Sequence, residues 1–421
     1  LTRGNRQRNE PRCGGMLGQQ FTSASEVTMA FLHGVEVIEI DAGPRPIQTV
    51  KSSVIGIVGT APDADPDAFP LNTPVLVAGS RKEAAGLDTE GTALGTLPAA
   101  MDGIFDQIGA VVIVVRVEEG ATEAESLANV IGGVNAVDGN FEGVHALVGA
   151  ESVVGFSPRI LIAPGFTHQR PEGNANPVVA ELQGIGDRLR AVIIADGPNT
   201  NDADAITAAG DFGSDRIYLI DPWHKVMVGS DIVTVPASSR VAGLIAKVDN
   251  DTGFWASPSN NLLGGVIGTS RPVDFKLGDA SARANLLNEA KVATTIRQNG
   301  YRLWGNRTLT DDTKWIFLSV RRTADIINDS LLRAHLWAVD RGITKTYVSD
   351  VEESVNAYLR DLVALGAILG GRCWADPDLN SAANIQLGKV FFNFDFTPVY
   401  PAEHITFRSH LVNDYIEEVF N

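Results

Sequence analysis

Five short apolar runs, parted by helical patterns, constrain this chain more than any other feature. Ser53 to Gly59 leads into Thr60-Ala61-Pro62, and Val111 to Val117 is unbroken Val and Ile save for Arg116. Arg159 to Ala163 is closed by Pro164-Gly165, Ala191 to Ala195 by Asp196-Gly197-Pro198, and Arg216 to Ile220 by Asp221-Pro222. A strand with one wet face alternates apolar and polar residues, so runs without alternation are strands buried on both faces. Helical patterns over 98–109, 123–131, 177–190 and 202–210 lie between them. Strands joined through helices lie parallel, so the spacing predicts an α/β domain with a mostly parallel sheet.

The pattern changes near residue 281. Residues 281–298 read as a helix, and 323–340 as another with Ile327, Leu331, Ala334 and Ala338 on one face. A third spans 350–366: Val351, Val355, Tyr358, Leu362 and Leu365 form its stripe, Asp350 is placed to cap it and Gly366 to end it. A Phe-rich strand follows over 389–396. This second part is an α+β C-terminal domain.

Both ends carry strand patterns with nothing local to pair with. Ile405, Phe407 and Leu411 alternate with Thr406, Arg408 and His410, set apart by Pro398 and Pro401. Val35, Val37, Ile38 and Ile40 form a matching piece cut off by Gly43, Pro44 and Pro46. Unpaired backbone groups need a partner, so each strand folds back on its own domain or completes a sheet in a neighbouring copy. The expected organisation is a leader or flexible extension over 1–28, an N-terminal β-arm over 29–52, the α/β domain over 53–275, the α+β domain over 276–400 and a C-terminal β-arm over 401–421.

Composition narrows the function classes. Apolar residues make up 44% and charged ones 20% of 421, which is a globular balance. No apolar run approaches the roughly 20 residues of a membrane span. Two cysteines, Cys13 and Cys373, leave at most one cross-link, here between copies. Charge is segregated: residues 53–275 hold 12 Lys and Arg against 28 Asp and Glu, residues 276–400 hold 15 against 14. The acidic part repels nucleic acid and favours water; the near-neutral part is free to approach an acidic partner.

Chemical motifs are sparse. Asp196 and Asp221 stand where doubly wound sheets place ligands, so a metal-dependent hydrolase holding Mg²⁺ there is one reading; turn and cap roles are the other. There is no phosphate-binding lysine loop, nucleophile elbow or zinc spacing, and Gly56 and Gly59 lack the third glycine of a dinucleotide fingerprint. Tyr301, Arg302, Trp304 and Arg307 read either as a base-stacking cluster or as a packed turn with arginine–backbone hydrogen bonds.

Those last residues carry a resemblance. Ala284-Asn285-Leu286-Leu287-Asn288, Gly300-Tyr301-Arg302-Leu303-Trp304-Gly305-Asn306-Arg307-Thr308-Leu309 and Ala375-Asp376-Pro377-Asp378-Leu379-Asn380-Ser381-Ala382 are similar to the C-terminal domain of contractile phage tail sheath proteins, of the short myophage and R-type pyocin kind. Phe254 to Asn260, Gly268 to Val273 and Phe31 to Val35 extend the similarity over 29–421. The resemblance implies a structural subunit without catalytic residues or cofactor. It implies six-membered rings stacked around an inner tube, arms exchanged between copies, and rigid-body contraction that drives the tube through a bacterial envelope, with Gly43, Pro44 and Pro46 at one end and Pro398 and Pro401 at the other expected to act as hinges of the arms. The α/β part would face outward and the C-terminal domain the tube, with Arg360, and then Lys291 and Arg297, as contacts. Implied partners are neighbouring subunits, the inner tube protein, and baseplate and terminator proteins, with no nucleic acid and no membrane insertion. The implied place is a virion tail or tailocin particle, assembled in the host cytoplasm.

Overall fold

The computed structural model describes residues 46–413 and Tyr415. The expected leader, the N-terminal arm residues Val35, Val37, Ile38 and Ile40, the hinge residues Gly43 and Pro44, and Cys13 lie outside the described residues. In chain order come β1 (Ile55–Thr60), β2 (Val75–Ala78), α1 (Leu97–Phe105), β3 (Val111–Val117), α2 (Glu123–Ile131), β4 (Ile160–Ile162) and α3 (Pro177–Leu189). Then follow β5 (Val192–Asp196), α4 (Asp202–Gly210), β6 (Ile217–Ile220), β7 (His224–Val228), β8 (Asp231–Val235), α5 (Ser238–Asp251) and β9 (Val266–Thr269). The last set is α6 (Arg283–Glu289), β10 (Val292–Arg297), β11 (Tyr301–Trp304), α7 (Leu318–Ala334), α8 (Lys345–Ala364), β12 (Ile368–Ala375) and β13 (Phe392–Pro398).

Among the described residues the main sheet has eight strands in the order β11-β10-β6-β5-β4-β1-β3-β2. The six inner strands run parallel, and β11 and β2 close the edges antiparallel. Side chains leave each strand alternately. Ile55, Ile57, Val112, Val114, Ile160 and Ile194 enter the core under α1 and α5. Val58, Ile113, Val115, Leu161 and Ile193 enter the opposite core with α2, α3 and α4. Covering both faces is why the runs lack alternation. Asparagines and threonines begin the helices where expected: Asn176 accepts from the Val179 amide and Asn201 from the Asp204 amide.

The second part departs from the sequence expectation. The helix expected over 281–298 stops at Glu289; Lys291 turns the chain at φ +64, and residues 292–297 form β10. Val292, Thr294, Thr295 and Ile296 are β-branched and bury well on a pleated surface, which overrides the helical spacing. β10 pairs with β6, so the sheet runs through the expected boundary at 275/276, and Pro44–Asn421 forms one compact unit. The helix expected over 323–340 is α7, which starts at Leu318 and ends at Ala334. Asp350 lies inside α8, whose cap is Thr344, its Oγ1 accepting from the Tyr347 amide at 3.1 Å. The Phe-rich strand runs to Pro398, not Phe396.

Buried ion pairs bolt α7 to the sheet domain. Arg322 holds Asp249 through two bonds of 2.7 and 2.6 Å, with both side chains under 5% exposed. Arg216 reaches Asp325 at 2.5 Å, and Arg159 pairs with Asp329. Burial pulls the Arg216 guanidinium down, but its bonds to Asp325 outweigh this and leave it raised. At Arg159 burial wins and the guanidinium is lowered. Removing one member would strand a buried charge, so these pairs fix one arrangement of α7.

Candidate assembly surfaces

The α+β part is built on a third core. Val355, Tyr358, Leu359 and Leu362 of α8 pack with Phe254, Ile326, Ile327, Ile368 and Cys373, and Phe392, Phe394 and Phe396 lie against them. β12 and β13 make a two-stranded antiparallel sheet on this core. The outer edge of β12 is closed by side chains of α8. Asn356 donates to the Cys373 carbonyl at 3.0 Å and accepts from the Cys373 amide at 2.8 Å, while Glu352 accepts from the Ala375 amide. Burial pushes the Cys373 thiol up to about 11.

The outer edge of β13 is different. Cys373 turns its backbone groups away from β13, and its partner across the ladder is Phe394. Antiparallel pairing then aims the Phe394 amide and carbonyl at the opposite edge, together with those of Phe392 and Phe396. No strand pairs with that edge among the described residues.

The chain beyond β13 is held at two points. Tyr400 meets Phe317 edge to face at 6.2 Å, and Arg307 grips Glu403 through both guanidinium arms, the Nε bond being 2.8 Å. That bond, more than burial can offset, raises the guanidinium. Past Glu403 nothing local holds the chain: Ile405 is 67%, Phe407 92% and Leu411 99% exposed, and Arg408 is exposed. These residues carry no ladder bond within the described chain. Pro398 is the buried last residue of β13, paired with Ile368, and Pro401 precedes the Glu403 grip, so both lie in the anchored part; Pro46 is exposed.

Arg307 is placed by the motif read in the sequence. Gly305 sits at φ +134, and a Cβ there would come within 2.8 Å of the Ala293 Cα. Its carbonyl accepts from the Tyr218 hydroxyl at 2.6 Å. Asn288 donates to the carbonyls of Val292 and Trp304, and Arg302 to those of Gln298 and Asn260. The aromatic–arginine cluster is therefore a packed corner; Arg307, which the sequence placed in that cluster, leaves it to grip Glu403, a side-chain partner the sequence did not show.

Three basic residues were expected at a tube contact. Arg360 is exposed on α8, away from the third core, and enters no ion pair among the described residues. Lys291 is tied to Asp311 in the turn before β10, and Arg297 lies 6.0 Å from the Tyr301 ring. The helix expected to carry Lys291 and Arg297 together ends at Glu289, so those two do not share a helix face.

The hydrolase reading fails at its two carboxylates. Asp196 is fully buried and accepts from the Ser238 amide at 2.8 Å and the Ser238 hydroxyl at 2.5 Å, at the start of α5. Burial raises it to about 6 despite those bonds. Asp221 pairs with Arg271 and accepts from the Asn199 amide at 2.8 Å; burial raises it too. Both carboxylates spend their oxygens on protein donors, as caps and turn locks, and no group of three or more His, Cys, Asp or Glu is arranged for a metal among the described residues.

Residues 52–117, 139–309 and 310–411 match three family models, described as the tail sheath protein Gp18 domain III N-terminal region, the phage tail sheath protein central domain and the phage tail sheath C-terminal domain. A prophage major tail sheath protein of Pseudomonas aeruginosa (strain UCBPP-PA14) is 44% identical, covering 93% of this chain and 100% of that protein. The tail sheath protein of Escherichia phage P2 is 36% identical, covering 91% and 96%. Among solved structures, the contracted helical sheath of the anti-feeding prophage superposes with a TM-score of 0.67 at 20% identity, covering 91% of this chain and 99% of that one. The contracted PVC sheath complex, from an extracellular contractile injection system, gives 0.66 at 17%, covering 92% and 99%.

Proposed function

This chain belongs to the phage tail sheath protein family and is a structural subunit, not an enzyme, and from that premise we propose that its copies are stitched into a contractile sleeve by their terminal arms. The observation that carries this is a mismatch among the described residues: an apolar segment after Glu403 that pairs with none of them, and an edge at β13 on which none of them forms a strand. Residues 404–412 in extended form span roughly 30 Å, enough to line the seven-residue β13 of a neighbour. Main-chain bonds then join copies in any state of the sleeve, and Phe407 and Ile405 leave water.

The arms flex just outside their anchors, beyond Glu403 at one end and around Gly43, Pro44 and Pro46 at the other. The body between them moves as one piece, because the ion pairs of α7 with Asp249, Arg216 and Arg159 join the C-terminal core to the sheet. Copies stack as six-membered rings on an inner tube, ended by baseplate and terminator proteins. Contraction is rigid-body rotation to a packing with more contact, with no nucleotide or cofactor needed. The same arrangement serves a phage tail or a tailocin particle, built in the host cytoplasm. Ending the chain after Glu403 should give a folded monomer that makes no rings or tubes by negative-stain microscopy. Tubes of normal length from that protein would refute the stitching.

A further inference from the structure

The three-stranded sheet β8-β7-β9 projects a hairpin that the stitching does not use. Its base is packed: His224, Val226 and Val235 are buried. Its tip is not. Met227 is 50%, Val228 51%, Ile232 64% and Val233 39% exposed, with Gly229 and Ser230 at the turn. Ladder register sets Ile232 opposite Met227 and Thr234 opposite Lys225, so one face presents Met227, Ile232 and the Lys225 stem side by side. β8 is also an edge strand, unpaired on its outer side among the described residues. An exposed apolar edge strand with one acidic residue and no proline within it is the kind of surface soluble chains avoid unless something covers it.

Charge identifies the cover. The hairpin lies in the segment with 12 basic against 28 acidic residues, yet His224–Val235 holds one Lys and one Asp. Two copies of an acidic domain repel over most of that segment; a neutral apolar tip that projects on a hairpin is a place where they meet at low cost. A basic partner would instead select the acidic surface around it. We propose that the tip formed by Met227, Val228, Ile232 and Val233 is a contact between neighbouring copies of this chain, separate from the arm stitching. The inference rests on the sheath reading, in which such neighbours exist.

The full chain carrying Ile232→Asp adds a negative charge to the tip. Its far-UV circular dichroism and thermal midpoint should match the parent, because the side chain is exposed. The protein concentration at which rings or tubes appear should rise at least about tenfold, ~1.4 kcal/mol, and raising salt should recover part of it. A photo-crosslinker at Ser230 in assembled particles should join two copies, with the captured peptide belonging to this chain. Unchanged assembly by Ile232→Asp, or a crosslink that maps only to a different protein, overturns the proposal. Failure of the parent itself to assemble would count against the sheath reading, and that control separates the two.

Discussion

Arg307 and Glu403 show how much one residue pair decides here. Just before Glu403 the chain is fixed by packing; after it Ile405, Phe407 and Leu411 stand in water. A two-armed arginine–carboxylate pair sets direction as well as distance, which a lysine cannot reproduce. The pair is about one-third exposed on each side, so its worth to stability is small, on the order of 1 kcal/mol or less. Its role is to aim the arm. Arg307→Glu and Glu403→Arg should each speed protease cutting within 404–412 and delay assembly, leaving the thermal midpoint within a few degrees. The double exchange should restore both, and a double variant as impaired as the singles would remove the aiming role. Two buried groups give the monomer an unusual response to acid. Asp196 is raised to about 6 by burial, so its folded form holds a proton that the unfolded chain has lost; its contribution grows as pH falls from about 6 towards the ordinary carboxylate range. His224 is lowered to about 3, by burial and then by Arg240, so its contribution is complete above its ordinary value near 6.5 and is lost as pH falls below that. The two oppose each other between pH 4 and 6. Asp196→Asn should therefore gain urea resistance over the parent at pH 7.5, by up to ~3 kcal/mol, and lose most of that gain by pH 4.5. A constant difference across that range would contradict the assignment.

At the scale of elements, five strands of the parallel sheet were legible, β2 and the β8-β7-β9 sheet were not, and the C-terminal part was only partly so. Runs such as Val111–Val117 announce their burial, and the helical patterns over 177–190 and 202–210 announce their helices, because both signals are local. β10 and β11 were missed because their evidence is not local: Val292–Arg297 becomes a strand by pairing with β6, more than seventy residues earlier. The corner at Gly305 was visible as a motif, but its purpose needs the later Glu403 to be understood. The closed edge of β12 was equally hidden, since nothing in the sequence says that Asn356 reaches Cys373. That contact is testable. Asn356→Ala leaves the Cys373 amide and carbonyl unpaired against a packed helix, which should cost about 1–3 kcal/mol. Cys373, now protected, should react faster with a thiol reagent in the native protein. If labelling and denaturation midpoint both stay at parental values, the edge is not held by Asn356, and the reason β13 alone stays open would have to be sought elsewhere.

For the whole molecule, the segregated charge and the rigid joint belong to one argument. In the proposed contraction the body turns as a unit and stores no motion inside, so contacts with the proposed inner tube would be made and released at the surface. Strong buried pairs would prevent release; exposed charged contacts contribute roughly 0–1 kcal/mol each and add up over many copies. Arg360 has the right character. It is exposed and unpaired among the described residues, on a helix whose other face is pinned to the third core and to β12. Lys291 and Arg297 are already engaged, by Asp311 and by the Tyr301 ring, and are weaker candidates. The near-neutral balance of 276–400, 15 basic against 14 acidic, would let this face approach an acidic partner where the 53–275 part, 12 basic against 28 acidic, would be repelled. Arg360→Glu should then lower the fraction of sheath that forms on purified tube, while tube-free polymerisation, which depends on the arms and the hairpin tip, stays at the parental level. Wild-type loading on the tube should weaken at high salt in the same direction. Equal tube-dependent assembly by the variant would mean that another face meets the tube, because reversing an exposed, unpaired cation at a contact should be felt.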